Sequence, residues 1–168
     1  GGAGFIGAHL TEKLIRLKHK LLVVDSLTTI GGIPFINSKS KFIKGDITED
    51  KILKKIEKWK PEIIYHLAAQ SGGESAYDNP REDYLTNGFG TFEIAKLAKK
   101  INVKHFIYSS SVAVYGSNPK KKITEKSIIK PDSIYGISKY AGEMFINQIL
   151  GPTKTKTTIL RIFNTYGP

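Results

Sequence analysis

The sequence contains no cysteine, which excludes a disulfide scaffold, an iron–sulfur cluster, a thiolate nucleophile and a cysteine zinc site. It has no apolar run approaching the ~20 residues a membrane-spanning helix requires, and no charged-then-apolar leader opens it. A soluble chain with no membrane contact and a cytoplasmic location is expected. Arginine is scarce: of 26 basic residues only Arg16, Arg81 and Arg161 carry the guanidinium fork favoured in phosphate and base recognition. The net charge of +11 is therefore lysine charge spread over helix faces, as at Lys51, Lys54, Lys55 and Lys58, and no nucleic-acid partner is expected. The densest group, Lys120 to Lys122 with Lys126 and Lys130, reads as a solvated loop. Nothing around His66 offers a metal set, so no metal is expected.

What is present is 168 residues, 40% of them hydrophobic, enough for one domain with a real core over 1–168. Apolar residues Ile6, Leu10, Leu14 and Leu17 recur at helical spacing directly after a run of glycines. Short apolar strands are expected at 21–25 and 41–46, each ending on an acid, and at 63–69. A helix over 52–59 is stopped by Pro61, and a Gly/Ser loop is expected at 71–75. Asn79-Pro80 opens a long helix to Lys100 with Ile94, Leu97 and Ala98 facing inward. A strand at 105–109, a loop holding Pro119 and Pro131, a helix over 133–150 and a last strand at 157–162 complete the pattern. Strand and helix alternate throughout, the signature of an α/β fold with a doubly wound parallel sheet of Rossmann type.

Gly1, Gly4 and Gly7 stand immediately before the first helix. Such a turn lets backbone approach a pyrophosphate, and the helix N-terminus presents free N–H groups to it. Asp25 ends the next strand, where a carboxylate takes the adenosine ribose hydroxyls and repels a 2′-phosphate, favouring NAD over NADP. Tyr135 and Lys139, four apart, share one helix face, and the ammonium is expected to lower the phenol into a range useful for proton transfer. Ser109-Ser110-Ser111 ends a strand, where a hydroxyl can polarise a substrate oxygen.

These segments, with His66-Leu67-Ala68-Ala69, Val112-Ala113-Val114-Tyr115-Gly116 and the closing Leu160-Arg161-Ile162-Phe163-Asn164-Thr165-Tyr166-Gly167-Pro168, resemble the extended short-chain dehydrogenase/reductase family, in its NAD-dependent epimerase/dehydratase branch. The resemblance spans essentially the whole chain, in order. It implies NAD as cofactor, with Gly1, Gly4, Phe5, Ile6 and Gly7 at the pyrophosphate, and Asp25 and Ser26 at the adenosine ribose. It further implies Asp46 and Ile47 beside the adenine, Leu67, Ala68 and Ala69 along the cleft, and Asn87 and Phe163 on the nicotinamide side. Tyr135 is implied as the acid/base, Lys139 as ligand of the nicotinamide ribose and tuner of Tyr135, and Ser111 and Asn164 as contacts of the substrate.

The function implied is nucleotide-sugar epimerisation at sugar C4 through a transient ketosugar, with bound NAD recycled and a UDP-linked substrate. Dehydratases of the branch carry an Asp-Glu pair just after the active-site hydroxyl, where this chain has Val112 and Ala113. A nucleotide-sugar dehydratase, an NAD-dependent oxidoreductase of the same family and a non-catalytic dinucleotide-binding module stand as alternatives. The resemblance also implies a homodimer through helices such as 80–100 and 133–150. The chain opens on the glycine loop and closes at Pro168, so a fragment lacking a first strand and a C-terminal substrate part, inactive alone, is expected.

Overall fold

A computed structural model describes residues 1–28, 35–70, 72–117 and 122–167. Ser71, Pro119, Lys120, Lys121 and Pro168, all named above, lie outside the described residues. The elements run in the order α1 (Phe5–Arg16), β1 (Leu22–Asp25), β2 (Lys41–Lys44), α2 (Asp50–Trp59), β3 (Ile63–His66), α3 (Gly73–Asp78) and α4 (Pro80–Asp83). A π-helical turn (Tyr84–Phe89), α5 (Gly90–Lys100), β4 (His105–Ser111), a 3₁₀ turn (Val112–Tyr115), α6 (Ile134–Leu150) and β5 (Lys156–Ile162) follow.

Every strand pairing is parallel among the described residues, in the orders β1-β2 and β3-β4-β5. A cavity of about 800 Å³ separates β1 from β3, lined by Leu22 and Val24 on one side and Ile64 and His66 on the other. The stripe of α1 faces this cavity through Leu10 and Leu14, which explains why a clear apolar period leaves those side chains only half-buried. The open position lies where strand 1 stands in the order 3-2-1-4-5-6 of a doubly wound sheet.

The core lies between β4 and its covering helices. Phe106 and Tyr108 are fully buried against Ile94, Ala95 and Ala98 of α5 and Ile146 and Leu150 of α6. The inward face expected for the long helix is met, since Ile94, Leu97 and Ala98 are all buried. Burying a ring such as Phe106 contributes about 1.5–3 kcal/mol, so this slab anchors the sheet that carries the site. Helix starts follow the local chemistry. The Asn79 side chain accepts from the Glu82 N–H before Pro80, and Ser133 Oγ accepts from the Gly136 N–H at 3.0 Å to open α6.

The strand expected at 41–46 stops at Lys44, before its acid, and that expected at 63–69 stops at His66. The loop at 71–75 is helical from Gly73 onward. The helix from Pro80 to Lys100 is not continuous, because six residues from Tyr84 to Phe89 widen into a π turn. There the Asn87 carbonyl accepts a hydrogen bond from the Thr91 hydroxyl at 2.6 Å, a side-chain bond that no hydrophobic period records. The strand expected at 105–109 runs to Ser111, because Ser109, Ser110 and Ser111 continue the ladder opposite Leu160, Arg161 and Ile162.

Candidate active site

A cleft of about 720 Å³ opens where β1, β3 and β4 end at their carboxyl sides, the usual ligand position in a doubly wound sheet. Its floor is the glycine turn. A Cβ on Gly1 would stand 2.3 Å from Ala68 N, and one on Gly7 would stand 2.4 Å from Gly1 O, so both glycines are required by backbone packing. Gly4 differs, since a Cβ there would find nothing closer than Gly1 O at 3.7 Å. The fold leaves Gly4 free space on the cleft side, as a loop built to receive a group does. No side chain caps the start of α1 and no acid lies in its first turn, so its N–H groups face the cleft unneutralised.

The side walls combine β1 and β3. Asp25 is buried, with Oδ2 accepting from the Ala3 N–H at 3.0 Å and Oδ1 from the Leu27 N–H at 2.8 Å. These bonds tie the strand end to the glycine turn and leave further lone pairs on both oxygens. Asp46 lines the same cleft while its Oδ1 accepts from Thr48 N at 2.8 Å and Thr48 Oγ1 at 2.7 Å, so it also organises the turn before α2. Phe5, Ile6, Ser26, Ile47, Leu67, Ala68 and Ala69 complete the set that the structure brings together here.

Tyr135, Lys139 and Ser111 stand outside the cleft lining, beyond Ser109, where α6 lays Tyr135 and Lys139 against the end of β4. Lys139 is only 2% exposed, and its Nζ donates to Ser109 O at 2.8 Å and lies 5.1 Å from the Tyr108 ring centroid and 5.9 Å from that of Tyr135. Burial pushes the Lys139 ammonium down to about 8, opposed by the Asp83 carboxylate. Burial likewise raises the Tyr135 phenol, with the facing Ser111 hydroxyl pulling the other way and Asp83 adding to the rise. The expected lowering of Tyr135 by Lys139 is thus not met. The ammonium is turned toward the Ser109 carbonyl and the Tyr108 ring, and desolvation of the phenol outweighs it.

Several participants escape sequence reading. Glu143, 2% exposed, accepts from Ser110 Oγ at 2.5 Å and from Arg161 at 3.0 Å (Nε) and 2.8 Å (Nη2). Arg161 Nη1 donates to the Tyr115 hydroxyl at 2.8 Å, with the guanidinium 5.0 Å from that ring's centroid. This fork binds β5, α6, the end of β4 and the 3₁₀ turn behind Ser111. Asp83 and Ser138 join Asn87, whose Nδ2 lies 2.9 Å from Asp83 Oδ2 and 3.2 Å from Ser138 Oγ. The spacing of Asp83, Asn87 and Thr91, each four apart, was the available signal.

Asn87 itself is fully buried behind the cleft wall, its amide bound to both backbone groups of Gln70 at 2.9 and 3.1 Å. Phe163 is exposed and, like Asn164, stands outside the cleft lining, although Thr165 of the same segment belongs to it. His66 is a buried strand-end residue: its Nε2 lies 2.8 Å from Thr91 Oγ1, and burial first, then the Lys139 charge, holds its pKa at about 3. It is neutral and serves no proton transfer. No group of acidic and histidine side chains fit for a metal occurs among the described residues.

Residues 1–168 match the sequence profile of the NAD dependent epimerase/dehydratase family. The chain is 37% identical to the UDP-glucose 4-epimerase of the hyperthermophile Thermotoga maritima, solved with UDP-glucose, with a TM-score of 0.94 covering 100% of this chain and 55% of that one. Against the UDP-glucose 4-epimerase of Thermus thermophilus, solved with NAD, identity is 27% and the TM-score 0.93, covering 100% and 55%. Human dTDP-D-glucose 4,6-dehydratase is 31% identical over 176 residues, covering 100% of this chain and 50% of that protein. The chain spans about half the length of the curated relatives it matches.

Proposed function

This chain belongs to the NAD dependent epimerase/dehydratase family, and from that premise we propose that it is the NAD-holding, acid/base-bearing part of a nucleotide-sugar 4-epimerase. The observation that carries the reading is the convergence of two constructions at one strand edge. A cleft floored by uncapped helix N–H groups and an unobstructed Gly4 lies beside a cluster of half-buried Tyr135 with buried Lys139 and Ser111, joined to it through Ser109.

In this reading Gly1, Gly4, Phe5, Ile6 and Gly7 hold the pyrophosphate, and the lone pairs left on Asp25, with Ser26, take the adenosine ribose. Asp46 and Ile47 flank the adenine, and Leu67, Ala68 and Ala69 give the cofactor its apolar wall. Asn87 acts indirectly, by fixing Gln70 in the cleft wall. Phe163 and Asn164 belong to the mouth, toward the nicotinamide and the nucleotide-sugar. NAD, when bound, supplies the hydride acceptor and donor and a positive ring charge near the phenol.

Tyr135 then takes the proton of the sugar C4 hydroxyl and returns it, with Ser111 donating to the same oxygen. Lys139, anchored on Ser109 O, has two remaining N–H groups for a ribose hydroxyl and for the phenol side. Elimination of water needs an acid/base pair beside the hydroxyl, and the 3₁₀ turn presents Val112 and Ala113 there, which supports epimerisation over 4,6-dehydration. Tyr84, Phe89, Ile137 and Met144 expose apolar side chains on the π turn and α6, which supports a homodimer built through these helices.

The test uses the protein at its natural full length. It is incubated without added cofactor with UDP-glucose, UDP-galactose, UDP-N-acetylglucosamine or UDP-glucuronate, and products are separated chromatographically. A new 4-epimer is expected, and Tyr135→Phe should cut its formation by roughly 10²–10⁴-fold while NAD stays bound. Undiminished turnover in that variant would remove Tyr135 from the reaction.

A further inference from the structure

Asp83 is a fully buried carboxylate for which the proposed reaction has no use so far. It ends α4, one turn before Asn87. Its Oδ2 accepts from Asn87 Nδ2 at 2.9 Å, whereas Oδ1 is buried with no hydrogen-bond partner among the described residues. A bare carboxylate oxygen in the interior is costly unless a positive charge stands near it. Lys139 has the complementary deficit. It is 2% exposed, hydrogen-bonded through one N–H to a neutral carbonyl, and has no ion pair within 4 Å among the described residues. The Asn87 amide touches both Asp83 Oδ2 and Ser138 Oγ, and Ser138 immediately precedes Lys139 on α6. Asp83 and Lys139 thus border one small buried polar cluster, where charge is felt across more than a contact distance; burial raises the Asp83 carboxyl, and Ser138, the Lys139 charge and Asn87 pull it back toward the ionised form.

We propose that Asp83 is the buried counter-charge of Lys139, keeping the ammonium protonated and thereby setting the proton affinity of Tyr135. It is a positioning residue that acts through Lys139, and the inference rests on the acid/base reading of Tyr135 and Lys139 above. The other groups facing this cluster do not supply the charge. His66 on β3 is neutral, and Tyr108 on β4 is pushed up by burial and stays a neutral phenol. Glu143, one turn along α6 from Lys139, is committed to Arg161 and Ser110. Asp83 favours the charged form of Lys139 and disfavours the phenolate of Tyr135.

Removing a negative charge lowers the proton affinity of every neighbour, so Asp83→Asn should move both the Lys139 and the Tyr135 midpoints to lower pH, by about one unit or more. The measurement is an NMR titration of the full-length protein labelled with ¹³C-lysine and ¹³C-tyrosine, assigned with Lys139→Met and Tyr135→Phe. Unmoved midpoints in a folded Asp83→Asn protein would overturn the proposal, because a merely structural role lowers stability without displacing them. Should that variant fail to fold, the ¹³C shift of the Asp83 carboxyl in the unaltered protein decides. Ionisation throughout pH 6–8 is required, and a protonated Asp83 in that range refutes the assignment. The readout is independent of turnover. Shifted midpoints in a protein that epimerises none of the UDP-sugars would sink the epimerase reading alone, and turnover with unmoved midpoints would sink only the role of Asp83.

Discussion

Replacing Arg161 by methionine isolates the fork that fastens β5 to α6 behind Ser111. Glu143 is 2% exposed, and Arg161 gives it two charge-assisted bonds of 3.0 and 2.8 Å, leaving Ser110 as its remaining donor at 2.5 Å. Taking one partner from a buried ion pair costs about 3–5 kcal/mol, because the other charge stays buried unpaired. The Arg161 side chain is 20% exposed, so water can reach the vacated position, and the lower end, about 3 kcal/mol, is expected. Glu143→Met together with Arg161→Met removes both charges and keeps the volume, and should recover most of that loss. Urea unfolding of the four proteins of this double-mutant cycle measures the coupling directly. An Arg161→Met loss below about 1 kcal/mol, or two losses that simply add, would refute the claim that a desolvated pair fastens β5 to α6.

Two other perturbations follow from the same structure. His66 binds a proton near pH 3 folded and about 6.5 unfolded, so between those values the unfolded state carries more protons. Its contribution is complete above pH 6.5 and falls by about 1.4 kcal/mol per unit below it; His66→Gln should remove roughly 2 kcal/mol of the stability difference between pH 7 and pH 5. Urea melts at the two pH values check this, and an equal acid loss in the variant would reject it. At the glycine turn, Gly7→Ala forces a Cβ to 2.4 Å from Gly1 O and 2.6 Å from Gly2 Cα, which only backbone movement relieves, at about 1–3 kcal/mol. Gly4→Ala meets no such contact and should fold normally while weakening NAD binding; thermal melts and NAD titrations distinguish them, and a larger stability loss at Gly4 than at Gly7 contradicts the packing argument.

The cleft of the candidate site was legible in the sequence because backbone builds it. A glycine turn, a helix start and acids at strand ends are local features, and Gly1, Gly4, Gly7, Asp25 and Asp46 all meet at one cleft. The Tyr135 cluster was legible only where residues share a helix face, as Tyr135 and Lys139 do. Ser111 was legible as the last of a serine run closing a strand, and pairing of β4 with β5 carries the ladder through it. Arg161, Glu143 and Ser110 come from three elements, and their meeting depends on how α6 crosses the sheet. Helix periodicity placed Ile94, Leu97 and Ala98 correctly but passed over the π turn, because Asp83, Asn87, Thr91 and Ile94 would face the core in a regular helix as well.

The π turn also fixes the direction of every proton around Asn87. Thr91 has one hydroxyl proton, and at 2.6 Å it goes to the Asn87 carbonyl, so the 2.8 Å contact with His66 must be donated by Nε2–H of a neutral imidazole. On the side chain, Gln70 N–H can only donate, which assigns the facing Asn87 atom as oxygen and leaves the NH₂ toward Gln70 O, Asp83 and Ser138. Ser138 in turn donates to Tyr135 O at 3.0 Å. Reversing the amide would set its oxygen against Gln70 O and the Asp83 carboxylate and its NH₂ against the Gln70 N–H, losing the bonds to both Gln70 groups and to Asp83 and adding repulsion. One arrangement therefore survives, running from β3 through the π turn to the cleft wall and α6. The cleft wall and the helix bearing Tyr135 and Lys139 are held in register by it, the preorganisation that the proposed proton transfer at Tyr135 would need.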